Sequence, residues 1–148
     1  KVNLVFKKLF GSEENKDILK SFINSHLPEH QQLTEITIKN PYNLADYIDG
    51  KLSILDIKAV DENGTWYDVE MQVEPHDYYG QKALFYWAKV YTDQLETGQL
   101  YSKLNKTIVI SVLNYSCFGL MWLPAEKTGF SSIFSKALRF PRLYPGNQ

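Results

Sequence analysis

Leu52-Ser-Ile-Leu-Asp56-Ile-Lys58-Ala-Val60, then Asp61-Glu-Asn-Gly64, then Thr65-Trp-Tyr-Asp68-Val-Glu70-Met-Gln72-Val73 reads as two strands joined by a tight turn. Strand side chains alternate between faces. Leu55, Ile57 and Ala59 therefore share one side of the first strand, with Asp56, Lys58 and Val60 on the other. On the second strand Tyr67, Val69, Met71 and Val73 share a side, and Trp66, Asp68, Glu70 and Gln72 share its opposite. Turn length decides whether the two polar faces coincide. A two-residue loop at Asn63-Gly64 would pair Asp56 with Met71. A three-residue loop, Glu62-Asn63-Gly64, with Gly64 left-handed in a bulge, pairs Asp61 with Thr65. Lys58 then faces Asp68, Ile57 faces Val69 and Asp56 faces Glu70. Only this register keeps apolar residues together, and register follows the apolar pattern.

Directly opposed Cβ atoms lie about 4.5–5.5 Å apart. Two carboxylates held that close repel, or one of them stays protonated, unless a cation neutralises them. A divalent ion such as Mg²⁺, bound through oxygens at ~2.0–2.1 Å, is one solution. The alternative is a pair of acids solvated on an exposed face.

The rest of the chain places the hairpin in a layered fold. Val2 to Phe10 carries apolar residues at 2, 5, 6, 9 and 10, a helical stripe ended by Gly11. Ser12 has the chemistry of an N-cap for a second helix, with apolar residues at 18, 19, 22, 23 and 27, closed by Pro28. Leu33 to Ile38 alternates as a strand. After Pro75, Asp77 to Glu96 shows the longest helical stripe, at 79, 83, 84, 87, 90, 91 and 95, and Gly98 ends it. Thr107 to Leu113 is a β-branched run of the kind found in buried strands. Helix, helix, strand, hairpin, helix, strand predicts a mixed sheet flanked by helices, an α/β or α+β fold. Phe130 to Gln148 has no clear period.

The chain of 148 residues is long enough for one domain with a real core. Its 44% apolar and 14% aromatic content argues against disorder. A net charge of −1 announces no nucleic-acid partner, although local charge distribution decides that point. The single cysteine, Cys117, excludes an internal disulfide framework and fits a reducing cytoplasm. The apolar stretch Thr107 to Leu123 is interrupted by Asn114 and two serines, which favours a strand over a membrane span.

The ordered set of motifs resembles the PD-(D/E)XK nuclease superfamily, in the branch of nuclease-family transposases or recombination-promoting nucleases. The resemblance runs from about Val2 to Leu113. It rests on Phe6-Lys-Lys-Leu-Phe-Gly11, Lys51-Leu-Ser-Ile-Leu-Asp56-Ile-Lys-Ala, Asp68-Val-Glu70-Met-Gln72 and Ala83-Leu-Phe-Tyr-Trp-Ala-Lys-Val-Tyr91, with Gln94-Leu95, Gly98 and Tyr101 following. No single motif is specific; the order is. The resemblance implies a restriction-endonuclease-like mixed sheet with a central hairpin, a nuclease core over residues 1–115, and a segment 116–148 outside the pattern. It also implies Mg²⁺-dependent hydrolysis of DNA phosphodiesters, with Mn²⁺ as a substitute, in transposition or recombination.

In that scheme Asp56 and Glu70 bind the metal. Gln72 stands where the superfamily usually has lysine, glutamine there being typical of this branch, and orients water or a phosphate oxygen. Lys58 and Lys82 contact substrate. Double-strand cutting calls for two such sites, which suggests a homodimer, and no membrane association is expected. The chain departs from the pattern at Asn3, where the branch often has aspartate, and at Lys82, which replaces an arginine and loses its bidentate fork. The tail after Ser116 departs as well. These departures motivate the alternative of a catalytically inactive DNA-binding or protein-interaction remnant of the same fold.

Other motifs have simpler readings. His26-Leu-Pro-Glu29-His30 matches a zinc-peptidase string, but Pro28 between the histidines argues for a helix end. Glu74, His76 and Asp77 read as a helix start. The aromatic stripe Tyr79, Phe85, Tyr86, Trp87 and Tyr91 reads as core or interface. Lys7, Lys8, Lys16 and Lys20 read as solvated charges, as do Asp93 and Glu96.

Overall fold

The computed structural model describes residues 2–39, 56–72, 77–113 and 130–134, with side chains for 4–39, 56–72 and 77–113. Helices α1 (Val2–Phe10) and α2 (Lys16–Asn24) precede strand β1 (Ile36–Ile38). The hairpin β2 (Ile57–Asp61) and β3 (Trp66–Gln72) leads to helix α3 (Tyr79–Thr92), then β4 (Thr107–Leu113) and β5 (Phe130–Phe134). The sheet order is β1-β2-β3-β4-β5. The first two pairings are antiparallel and the last two parallel. This is the expected mixed sheet of an α+β fold. β5 comes from the stretch without periodicity and adds a strand beyond the span of the resemblance.

The turn has the three-residue form. Gly64 has φ 81°, and its N–H donates to the Asp61 carbonyl at 3.1 Å. The Asp61 N–H donates to the Thr65 carbonyl, while its Oδ1 accepts from the N–H groups of Asn63 and Thr65 at 2.9 and 2.8 Å. Ile57 pairs with Val69 and Lys58 with Asp68. Left-handed backbone costs a residue with Cβ about 1–2 kcal/mol. A Cβ at Gly64 would meet the Asn105 side chain at an ordinary 3.5 Å, so strain alone is at stake. Gly64→Ala should lower unfolding stability by about 1–2 kcal/mol in urea titration, and an unchanged midpoint would contradict the bulged turn.

Glu62, at the tip of that turn, ties the hairpin to the segment before β1. Its carboxylate accepts from the Thr34 N–H and hydroxyl at 3.0 Å each and from the Glu35 N–H at 3.1 Å. These bonds, that from the Thr34 backbone first, bring its pKa down to about 2.

One face of the sheet is apolar. Ile57, Ala59, Tyr67, Val69, Ile108, Ile110 and Val112 pack there with Phe6, Leu19, Ile23 and Leu27. Each such burial contributes roughly 1.5–3 kcal/mol relative to exposure for a Val, Leu, Ile or Phe side chain. The helical stripes are wider than what is buried: Val5, Leu9 and Ile18 stay exposed. Ser12 does not cap α2. Its hydroxyl donates back to the Lys8 carbonyl at 2.8 Å, and a short 3₁₀ turn at Glu13–Asn15 intervenes. Lys7 is not solvated but buried, whereas Lys8 and Lys16 are exposed.

Helix α3 covers the other face. Tyr79 and Ala83 pack on Leu113. Farther along, the Trp87 Nε1–H donates to the Thr107 carbonyl at 3.0 Å, and Tyr91 stacks on Trp87 at 4.9 Å. The Gln94 amide donates to the Thr107 hydroxyl at 2.9 Å and accepts from the Asn105 N–H at 2.8 Å. These contacts clamp α3 to the start of β4. The aromatic stripe is thus mostly packing, with Phe85 left exposed.

Candidate functional site

Strand β3 lies in the middle of the sheet, between β2 and β4. Its apolar residues Tyr67, Val69 and Met71 face α1 and α2, so Asp68, Glu70 and Gln72 must face α3. Continuing the β2–β3 register by one residue sets Asp56 opposite Glu70. On the other side of Glu70 the register sets Ser111 of β4. Asp56, Asp68 and Glu70 are only 4%, 0% and 7% exposed. The solvated-pair alternative is therefore excluded: these carboxyls lie under the helix.

Burial has electrostatic consequences. Desolvation raises the pKa of Glu70; the Lys82 charge opposes this and Asp56 adds to it. Asp68 is pushed well above the usual carboxylate range, by burial first, then by Glu70 and Asp56, against the pull of Lys58. Among the described residues, neither Asp68 carboxyl oxygen accepts a hydrogen bond, nor does the Ser111 hydroxyl make one. Uncompensated buried polar atoms are costly.

A folded-state pKa raised above its unfolded value means that the folded chain holds protons more tightly. That stability is present below the ordinary carboxylate range and is lost as pH rises through the folded value. Glu62 works in the opposite direction: its contribution is present above 4.5 and lost as pH falls through about 2. The metal-free protein should therefore lose stability as pH rises out of the ordinary carboxylate range toward the raised folded-state values, measured by urea unfolding. Asp68→Asn should flatten that decline. An equally steep decline in the variant would remove Asp68 as its source.

The expected site residues are distributed as follows. Asp56 and Glu70 face one another, and Gln72 follows on the same face. The Lys82 ammonium reaches down from the first half of α3 and donates to the Gln72 carbonyl Oε1 at 2.6 Å. Lys58 lies across from Asp68 and makes an ion pair at 3.8 Å with Asp93, which was expected to be a bare surface charge. The side chain of Asn3 and residues Lys51–Leu55, Glu74 and His76 fall outside the described residues; Asp77 is exposed. His26 sits against the end of α2, its Nδ1 2.8 Å from the Phe22 carbonyl, and His30 is exposed beyond Pro28, so the two do not form a zinc pair. Sequence reasoning set Asp68 opposite Lys58 and gave it no part in the site. The available signal was its parity with Glu70 on a strand flanked on both sides.

Among the described residues no three His, Cys, Asp or Glu side chains gather around one ion. Two buried, facing carboxylates still suit a hard divalent cation. Mg²⁺ is commonly held by one or two carboxylates, with water and substrate phosphates completing its octahedron. Burial raises the pKa of Glu70 and the Asp56 charge adds to it, a repulsion that a cation between the two would offset.

A mixed sheet carrying acids on its central hairpin, with an amide two residues past the second acid, defines a nuclease-like α+β domain. Residues 1–120 match the model of the family described as PD-(D/E)XK nuclease family transposase, and the chain belongs to that family. No curated protein and no solved structure matches it. Membership supports a nuclease-like function with DNA as substrate, and nucleases of this kind generally use divalent metals. No helix among the described residues is long and apolar enough to cross a membrane.

Proposed function

We propose that the protein is a Mg²⁺-dependent DNA endonuclease acting in transposition or recombination. The observation that carries this reading is the buried pairing of Asp56 with Glu70 on the hairpin. Those two side chains would hold the ion, with Mn²⁺ as a substitute. A bound divalent ion would supply a polarised phosphate and a water of lowered pKa. Gln72 supplies an amide on the same face of the strand, two residues after Glu70. Lys58 and Lys82 offer ammonium groups from the two sides of the acids, placed to meet phosphate charge. The burial of Asp56 and Glu70 under α3 strengthens every one of these interactions, because they act in a low-dielectric setting.

The protein is read as cytoplasmic and, for double-strand cutting, as a homodimer. Purified protein should nick and linearise plasmid DNA in Mg²⁺ and stop on addition of EDTA. Glu70→Gln should lower that rate on the order of 10³-fold with the fold intact. Cleavage that persists in EDTA, or at the wild-type rate in Glu70→Gln, would sink the assignment.

A further inference from the structure

Gln72 and Lys82 stand ten residues apart in sequence and meet at 2.6 Å. The family's own description ends its motif in an acid, any residue, and a lysine. Here that triplet is Glu70-Met71-Gln72, so the strand presents a neutral amide where the motif carries a positive charge. An amide cannot neutralise a developing anion as an ammonium does. The charge is nevertheless present, because α3 delivers it. Lys82 is half-buried, its Nζ lies 5.7 Å from the Tyr86 ring centroid, and its charge acts on the Glu70 carboxyl.

A lysine stem has several rotatable bonds, and holding it in one geometry costs entropy. The Gln72 carbonyl oxygen and the Tyr86 ring face together limit that freedom. Both contacts act on the same ammonium, from the strand and from the helix itself.

We infer that Gln72 and Lys82 work as one unit that replaces the motif lysine: Gln72 is a positioning residue that fixes the Lys82 ammonium beside Glu70, and Lys82 is the group that meets the scissile phosphate. This assignment rests on the nuclease reading and divides the labour within it. The strand residue does not act on water or phosphate directly. It acts through the helix lysine. The cation has thus moved from the strand to the covering helix while keeping its place next to the second acid.

The test relocates the charge. Four proteins are compared: wild type, Lys82→Met, Lys82→Arg, and the double variant Gln72→Lys with Lys82→Met. Plasmid cleavage in Mg²⁺ is measured alongside Mn²⁺ binding by calorimetry without DNA. Lys82→Met should cut on the order of 10²-fold more slowly, mainly in kcat. Lys82→Arg should stay within about tenfold of wild type, since the charge persists. The double variant should recover to within about tenfold of wild type, because its cation returns to the strand.

Mn²⁺ binding reads the same geometry independently of chemistry. An ammonium beside Glu70 opposes a dication, so Lys82→Met should bind Mn²⁺ about tenfold more tightly, and the double variant should return to the wild-type affinity. Equal cleavage by wild type and Lys82→Met overturns the inference, as does a double variant as slow as the single one while folded. Unchanged Mn²⁺ affinity in Lys82→Met overturns it too. If wild type binds Mn²⁺ but cuts no DNA, the nuclease reading fails and the affinities alone decide the placement of the ammonium. A wild type that binds no Mn²⁺ overturns both.

Discussion

Asp56→Asn is expected to reduce Mg²⁺-dependent DNA cleavage on the order of 10³-fold or more while leaving the protein folded. The substitution keeps the shape of the side chain and removes only its charge. Asp56 is buried and faces Glu70, and its charge adds to the burial that raises the pKa of Glu70. Losing that charge removes half of the proposed ligand set. It also removes a like-charge repulsion inside the fold. The metal-free variant should therefore melt at the wild-type temperature or above it. Loss of function together with unchanged or increased stability distinguishes a site residue from a structural one. A variant that cuts at the wild-type rate would show that the ion, if one is used, is held elsewhere. A variant that is simply unfolded would show that Asp56 is needed for the architecture.

Ile110→Ala should have the largest effect on stability, about 2–5 kcal/mol. Ile110 is fully buried on β4, in register with Val69 of β3, on the apolar side directly behind the acids. Its truncation leaves a cavity between the sheet and the helices α1 and α2, where close packing limits relaxation. For a chain of this size the expected fall in Tm is on the order of 10 °C. Cleavage by the fraction that remains folded should be affected much less than in Asp56→Asn. A fall of under about 1 kcal/mol would mean that this face of the sheet is not the closed core described above.

The hairpin was legible because its information is local. Gly64 admits the left-handed conformation, and the alternation of apolar residues on both strands tolerates only one register. The element order was legible for the same reason, since each helix and strand carried its own period. Phe130–Phe134 was not legible: its place in the sheet is set by pairing with β4, and nothing in its own text has a strand period. The N-cap at Ser12 failed because its hydroxyl found a nearer acceptor at Lys8. Lys7 and Asp68 failed for a shared reason. Burial of a charged residue is decided by what packs over it, and that partner is distant in sequence.

The site shows the same division. Asp56 and Glu70 follow from the register alone. That they are buried follows only from α3 lying over the polar face, through contacts such as Trp87 with Thr107 and Ala83 with Leu113. The contact between Lys82 and Gln72 belongs to this second class. Sequence singled out both residues separately, yet their 2.6 Å bond depends on how the helix is docked. The acids are thus written into the strand, and the environment that gives them chemistry comes from the layer above.

The pairing of Asp56 and Glu70 around a divalent ion is most directly tested by diffraction from crystals soaked in Mn²⁺, recorded where manganese scatters anomalously. The expected result is an anomalous peak between the two carboxylates, within about 2.0–2.4 Å of an oxygen from each, and absent from Glu70→Gln crystals treated identically. Crystals saturated with Mn²⁺ that show no peak there, or that carry the ion elsewhere in the molecule, would contradict it.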